Sequence, residues 1–220
     1  MLTYLTTLLG GLGTTLWLTL TSLLLGASLA LLMTWILERR VVALSQLVRL
    51  WILLFTGTPL LVQIFLIYYG PGQFTWIKES WLWTWLRQPG ICAMLALGFN
   101  TAAYSTRLFK GALDTIPAGE VEACRALGLS PGQTLWMKVR HAARRIVPAY
   151  SNEVILVLKG SSLASTITIM DIMGLAQRLN AQTYDTLAVF GVAGVLYLSM
   201  NGLLTALFRW CEKRALRFQS

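Results

Sequence analysis

The chain has 220 residues, 56% of them hydrophobic and 12% charged, with a formal net charge of +9 and a mean hydropathy of +0.63. Soluble domains carry about 25% charged residues, so this composition excludes an ordinary soluble enzyme and indicates an integral membrane protein with a length suited to one domain. The basic residues lie in short clusters beside apolar runs rather than in a continuous stripe, which excludes a nucleic-acid surface and reads as membrane orientation.

In chain order, positions 1–37 hold no charged residue. About 20 apolar residues in a helix cross a hydrocarbon core of about 30 Å. The first span is therefore expected over 12–37, closed by Glu38, Arg39 and Arg40. No Lys or Arg precedes that run, so it lacks the basic start of a cleaved signal peptide and is expected to remain as an anchor. A second uncharged run follows Arg49, with its crossing part over 50–69 and a break at Gly70, Pro71 and Gly72. Pro59, beside Gly57, is expected to kink it. The stretch 74–86 contains Trp76, Trp81, Trp83 and Trp85. It is too polar to cross, and its indoles suit the headgroup level of an interface.

The third span is expected over 89–108. The fourth, over 147–170, is unusual in containing Glu153 and Lys159, and its weak point is Gly160-Ser161-Ser162. The fifth is expected over 187–208, followed by a basic tail. Cys92, Cys124 and Cys211 are far apart, share no metal spacing and read as small apolar fillers.

The loops set the orientation. Three basic residues lie between spans one and two (Arg39, Arg40, Arg49), and seven between spans three and four (Arg107, Lys110, Arg125, Lys138, Arg140, Arg144, Arg145). The tail has four: Arg209, Lys213, Arg214 and Arg217. The opposite side has Lys78, Arg87 and Arg178. Fourteen against three predicts an all-α protein of five spans with the N-terminus outside and the C-terminus in the cytoplasm.

The longest of these loops is the most informative. Positions 112–127 read as a short amphipathic helix after a turn at Ile116-Pro117-Ala118-Gly119. Glu120 and Glu122 are placed in its first turn, where carboxylates suit the positive end of the helix dipole. Ala123, Ala126 and Leu127 share one face, and Gly128 ends the helix. Ser130-Pro131-Gly132 turns the chain, and a basic helix over 138–145 leads back to the membrane. Such a segment is either a solvated connector or a helix that docks in a groove of another protein.

Glu122-Ala123-Cys124-Arg125-Ala126-Leu127-Gly128 resembles the Glu-Ala-Ala-x-x-x-Gly signature of permease subunits of binding-protein-dependent ABC importers. Gly57-Thr58-Pro59-Leu60-Leu61-Val62-Gln63 resembles the second-span motif of polar amino acid permeases. The segments 100–104 and 148–154 are similar to those of the histidine and arginine systems. The resemblance covers nearly the whole chain and implies a type I ABC importer permease fold, in which 112–132 is a cytoplasmic coupling segment. Gly119, Glu120, Glu122, Ala123, Ala126, Leu127 and Gly128 would then contact an ATPase. Two departures stand out: Cys124 replaces the second alanine, and Val139-Arg140 stands where the family usually has Leu-Pro, so the turn following the coupling helix is expected to be shaped differently.

No Gly-x-x-x-x-Gly-Lys-[Ser/Thr] loop is present, so the chain has no phosphate cradle of its own. The resemblance implies two cytoplasmic ABC ATPase subunits that bind the ATP and Mg, a second permease copy or homologue, an extracytoplasmic amino-acid-binding protein, and residence in a bacterial inner membrane. No cofactor is expected in this chain. His141, the sole histidine, has no Ser/His/Asp set or zinc spacing around it and reads as a loop residue near the interface.

A charge at mid-bilayer costs about 2.5–3.5 kcal/mol on insertion scales. Glu153 and Lys159, six residues apart, lie on different helix faces and cannot stack as an intrahelical pair. Glu153 is the candidate carboxylate for a guanidinium, in bidentate geometry, with a structural anchor for the basic loop as its alternative. Lys159 is either a partner for a substrate carboxylate or a snorkelling side chain. Gln63, Asn100, Tyr104 and Ser162 are path candidates whose alternative is hydrogen bonding between helices. Asp171 is expected at the outer end of the fourth span, facing water or the binding protein. The expected activity is import of a polar or basic amino acid, arginine first, by alternating access. The rivals are histidine, glutamine or an opine as solute, or a scaffold subunit whose partner holds the only substrate site.

Overall fold

The structure, a computed structural model, describes residues 1–39 and 41–216, with the side chains of Arg144 and of residues 211–216 outside the description. Of the residues read above, Arg40 and Arg217 therefore lie outside the described residues, as do the side chains of Arg144, Cys211, Lys213 and Arg214. The regular structure among the described residues is helical. In order it comprises α1 (Leu2–Leu9), α2 (Leu12–Arg39), α3 (Val42–Gly57), α4 (Leu60–Tyr69), a 3-10 turn at Pro71–Gln73, and the single turns α5 (Thr75–Lys78) and α6 (Trp83–Leu86). Then come α7 (Pro89–Asp114), α8 (Ala118–Ala126), α9 (Pro131–Ser161), a 3-10 stretch at Ser162–Ile167, α10 (Ile172–Thr183) and α11 (Thr186–Leu216).

The distribution of side chains is that of a membrane solvent. The buried stripe of α2 is Thr15, Leu18, Thr19, Ser22, Gly26, Ala30 and Thr34, mostly small and partly polar. Its outward face carries Leu16, Trp17, Leu20, Leu24 and Leu31. Small residues let helices approach closely where surrounding lipid supplies no hydrophobic drive to pack. Thr15 and Thr19 donate to the carbonyls of Gly11 (3.1 Å) and Thr15 (2.7 Å), four residues back, so their hydroxyls cost little where no water reaches them.

α7 is the central helix, packed against α2, α3, α4 and α9. Its buried positions are again small: Ala93, Ala96, Gly98, Thr101, Ala102, Ala103 and Ser105 among them. The approach to α2 is closest at Gly26, where an added Cβ would overlap Thr101 Cγ2 and lie 3.0 Å from the Gly98 carbonyl. At 26 residues α7 is about 39 Å long, enough to cross. By length and composition, Leu2–Arg39 and Thr186–Trp210 qualify as spans by themselves among the described residues. The count reaches four when the bent pairs α3/α4 and α9/α10 are each taken as one span. α7 falls outside that count because its polar and charged residues, Asn100, Thr101, Ser105, Thr106, Arg107 and Lys110 among them, lower its hydropathy.

Two of the expected spans are broken. The second span is not a kinked rod: α3 ends at Gly57, Thr58 and Pro59 are extended, and α4 leaves at 109°. Proline forces the residue before it out of the helical region, and Thr58 sits at ψ 147°. The two halves are about 24 and 15 Å long, so neither crosses a core of about 30 Å by itself. The fourth span does break where its glycine and serines stand: α9 ends at Ser161, a 3-10 stretch follows, and Thr168 turns left-handed at φ 70°. The segment after Asp171 is a 12-residue helix, α10.

The basic segment over 138–145 is not a separate helix. It belongs to α9, one rod of 31 residues that carries Val139 and Arg140 mid-helix and continues through Pro148. Val139-Arg140, placed within the expected basic helix, is helical and forms no turn. The turn lies upstream, where Gly128 at φ 71° ends α8 and Ser130 starts α9. There Ser130 Oγ accepts from Gln133 N (3.3 Å) and Gln133 Oε1 accepts from Ser130 N (2.8 Å), a reciprocal cap with Pro131 in the first turn.

Candidate functional site

The six path candidates separate into four groups. Gln63 and Asn100 come together at the break of the second span. A helix end leaves carbonyls without partners, and no water is available to them inside a bilayer. Gln63 Nε2 donates to the Phe55 carbonyl (2.9 Å) and is also within reach of the Thr58 carbonyl (3.0 Å) and hydroxyl (2.8 Å). Asn100 Nδ2, from α7, donates to the same Phe55 carbonyl (3.0 Å) and to Gln63 Oε1 (3.0 Å). Trp51 stacks on Phe55 at 4.5 Å, and both rings meet Phe99 edge-on, holding the end of α3 against α7. These two amides close the break; their NH2 groups are committed to backbone, to the Thr58 hydroxyl and to each other.

Glu153 faces inward from α9 and is 8% exposed. Its Oε1 accepts from Thr101 Oγ1 of α7, a partner that sequence reasoning did not single out. No hydrogen bond to Oε2 occurs among the described residues, so half of the carboxylate remains available. Thr101 is held in place by Gly26, whose missing side chain admits it against α2. Lys159 and Tyr104 lie on the outward surface of the protomer. Lys159 does not face inward with Glu153, as their angular separation on the helix requires. Ser162 is half-buried and its hydroxyl donates to the Lys159 carbonyl (2.7 Å).

Asp171 corrects the reading that it meets water. It is fully buried, accepts from Gly174 N (2.8 Å) as the cap of α10, and accepts from Tyr197 Oη of α11 (3.1 Å). Its role is to fasten α10 onto α11 and the start of α2, where Thr15 Oγ1 accepts from Ile172 N (3.2 Å).

At the basic end of the bundle, α8 crosses from α7 to α9. Cys124 is its buried residue, while Glu122, Ala123, Ala126 and Leu127 are exposed, Leu127 at 79%. The cysteine therefore points into the bundle and does not interrupt the exposed face. Gly119 has open space where a side chain would project. Glu120 is in the first turn as expected, whereas Glu122 lies beyond it. Glu120 meets His141 Nδ1 at 3.6 Å, which ties α8 to α9. His141 is thus a helical residue, not a loop residue.

One cluster in this region had no sequence signal. Glu38, at the end of α2, bridges Lys110 of α7 (3.1 Å) and Lys138 of α9 (2.7 Å), and Lys110 also pairs with Asp114. Partial burial pushes the Glu38 carboxyl upward, but its hydrogen bonds and charge interactions with Lys138 and Lys110 outweigh this and hold it below the ordinary carboxylate range. Partial burial likewise pulls the Lys110 ammonium down, and Asp114 and Glu38 more than reverse it.

A sequence profile for "Binding-protein-dependent transport system inner membrane component" matches residues 22–217. The chain is 51% identical over 216 residues to "Arginine ABC transporter permease protein ArtM" of Haemophilus influenzae, covering 98% of this chain and 95% of that protein. It is 46% identical over 178 residues to "Octopine transport system permease protein OccM" of Rhizobium meliloti, covering 77% and 72%. Among solved structures, "Crystal structure of an amino acid ABC transporter with histidines" superposes with a TM-score of 0.87 at 26% identity, covering 97% of this chain and 96% of that one.

Proposed function

The chain belongs to the family of binding-protein-dependent transport system inner membrane components, and from that premise we propose that it is a permease subunit of an ATP-driven importer of arginine. The full-length relative named for arginine supports the solute. The observation that carries the mechanism is the joining of two features by one rod. α9 begins at the corner with α8, whose exposed Ala123, Ala126 and Leu127 form the family's coupling face. The same helix carries Glu153 some 33 Å further along.

In this reading the chain forms one transmembrane domain with its core over 12–208 and five spans. The N-terminus is outside and the basic end is in the cytoplasm of a bacterial inner membrane. A second permease copy or homologue completes the pathway. Two cytoplasmic ATPase subunits bind ATP and Mg and receive one coupling helix each, and an extracytoplasmic binding protein delivers the solute. ATP-driven closure of the ATPases draws the α8 helices together, and the rigid α9 rods transmit that movement to the site. Glu153 Oε2 then takes the guanidinium by a charge-assisted hydrogen bond while Thr101 fixes the carboxylate. Lys159 and Tyr104, on the outward surface, face the second permease across the path. Gln63, Asn100 and Ser162 maintain the backbone around it.

The test is uptake by the assembled transporter in proteoliposomes, with arginine, histidine, glutamine and octopine offered through the cognate binding proteins. Glu153→Gln and Glu153→Ala are expected to lower arginine uptake at least tenfold. If neither changes uptake or substrate-stimulated ATP hydrolysis, the chain is scaffold and coupler and its partner holds the substrate site. The octopine-named relative favours one rival solute, and octopine uptake exceeding arginine uptake would replace the first choice.

A further inference from the structure

Two cavities adjoin at the basic end of the bundle, and their chemistry is opposite. The first, about 370 Å³, is walled by Glu38, Arg39, Arg125 and Lys138, three cations against one carboxylate. The second, about 310 Å³, is apolar and runs between α2, α7 and α9, with Leu31, Val139, Ala143 and Ile146 in its wall. Trp35, Glu38 and Leu135 line both.

The pair is organised like the boundary of a bilayer. Trp35 and Trp136 are exposed at this level, where indoles suit the interface. Arg39 lies over the Trp35 ring at 5.2 Å, with its charged end toward the polar cavity. Glu38 is already matched by Lys110 and Lys138. Neither Arg39 nor Arg125 forms an ion pair among the described residues. The polar cavity therefore has an unmatched positive charge, and the groove beside it exposes Leu31, Leu135 and Val139 outward.

We propose that this double cavity is a binding site for one anionic phospholipid of the cytoplasmic leaflet, its phosphate between Arg39 and Arg125 and an acyl chain in the groove between α2 and α9. A free anion would leave the groove empty, and a neutral lipid would leave the arginines unmatched; an anionic phospholipid satisfies both. Because Arg125 belongs to α8, the lipid tethers the coupling helix to the membrane surface and to the end of α2. The proposal rests on the orientation given above, with the basic end in the cytoplasm.

The experiment is native mass spectrometry of the complete transporter, permeases and ATPases together, titrated with phosphatidylglycerol or phosphatidylcholine. One phosphatidylglycerol per permease chain is expected to be retained where phosphatidylcholine is lost. Arg39→Gln is expected to weaken retention about fivefold, and Arg39→Gln with Arg125→Gln roughly 25-fold, from the usual gain per basic residue at an anionic surface. Ala143→Phe, which fills the groove and leaves both arginines in place, is expected to weaken it as well and serves if the double variant does not assemble. Equal retention of the two lipids, indifference to Arg39→Gln, or displacement by inorganic phosphate alone would each overturn the proposal. So would retention only after the ATPases are removed, which assigns the cleft to them. Wild-type uptake without lipid selectivity defeats the lipid site and leaves the transport function standing.

Discussion

Gly26 decides whether Thr101 and Glu153 can meet. Its Cα surface admits Thr101 from α7, and a methyl group there has nowhere to go without moving α7. Gly26→Ala is expected to destabilise the folded chain by about 1–3 kcal/mol, as overpacking does, and to lower uptake further by displacing Thr101. Thermal unfolding in detergent checks the first effect and proteoliposome uptake the second. At Glu38 the effect depends on pH. Its folded value is lowered, so its contribution is complete above the unfolded value near 4.5 and disappears as pH falls through the lower folded value. Lys110 is raised, so its share is complete below 10.5 and disappears as pH rises through the higher folded value. The melting temperature of Glu38→Gln should therefore lie below that of the unaltered chain at neutral pH, with the gap narrowing in acid. A constant gap across that range would deny the carboxylate its role.

Among the elements, α3 and α4 show how a membrane protein tolerates a broken span. The break at Thr58-Pro59 frees carbonyls that water would satisfy in a soluble protein. Here Gln63 and Asn100 satisfy the Phe55 carbonyl from two sides. Asn100→Leu removes one of two donors to a part-buried acceptor and leaves Gln63 Oε1 without that partner. It should destabilise the chain by about 1–3 kcal/mol. Gln63→Leu combined with Asn100→Leu should cost less than the sum of the single changes, because the two share a network. Additive losses in thermal unfolding would mean that the amides act separately. α9 is the opposite case, a rod without a break from Pro131 to Ser161 despite Pro148. A capping box fixes its start, which makes it stiff at the end that joins α8.

For the whole molecule, the prediction concerns transmission. α8 exposes an apolar side chain, Leu127, at the end of a short helix, with Cys124 and the Glu120–His141 contact holding the other side to the bundle. Leu127→Asp should abolish binding-protein-stimulated ATP hydrolysis and uptake while membrane insertion and the melting temperature of the permease stay unchanged. Gly128→Ala forces a Cβ into a left-handed position, which costs about 1–2 kcal/mol, and should reduce uptake in part by reshaping the corner between α8 and α9. Full uptake by both variants would remove α8 from the mechanism.

By itself the sequence determined the membrane class, the approximate starts of the helices at 12, 89 and 187, and the family, because hydrophobic runs and a family signature are local. It also determined that Glu153 and Lys159 part company, since helix geometry fixes their angular separation. Only the tertiary structure decided what the polar residues do. Gln63 and Asn100 are 37 positions apart, Thr101 and Glu153 are 52 apart, and Glu38 and Lys138 are 100 apart; no local pattern connects them. Val139-Arg140, a departure from the family pattern, lies inside α9, because the cap at Ser130 starts that helix upstream of it. Asp171 looked like an outer-surface carboxylate because its burial depends on α10, α11 and α2 closing around it. In a bilayer every buried donor and acceptor must find a protein partner, and which partner it finds is a property of packing.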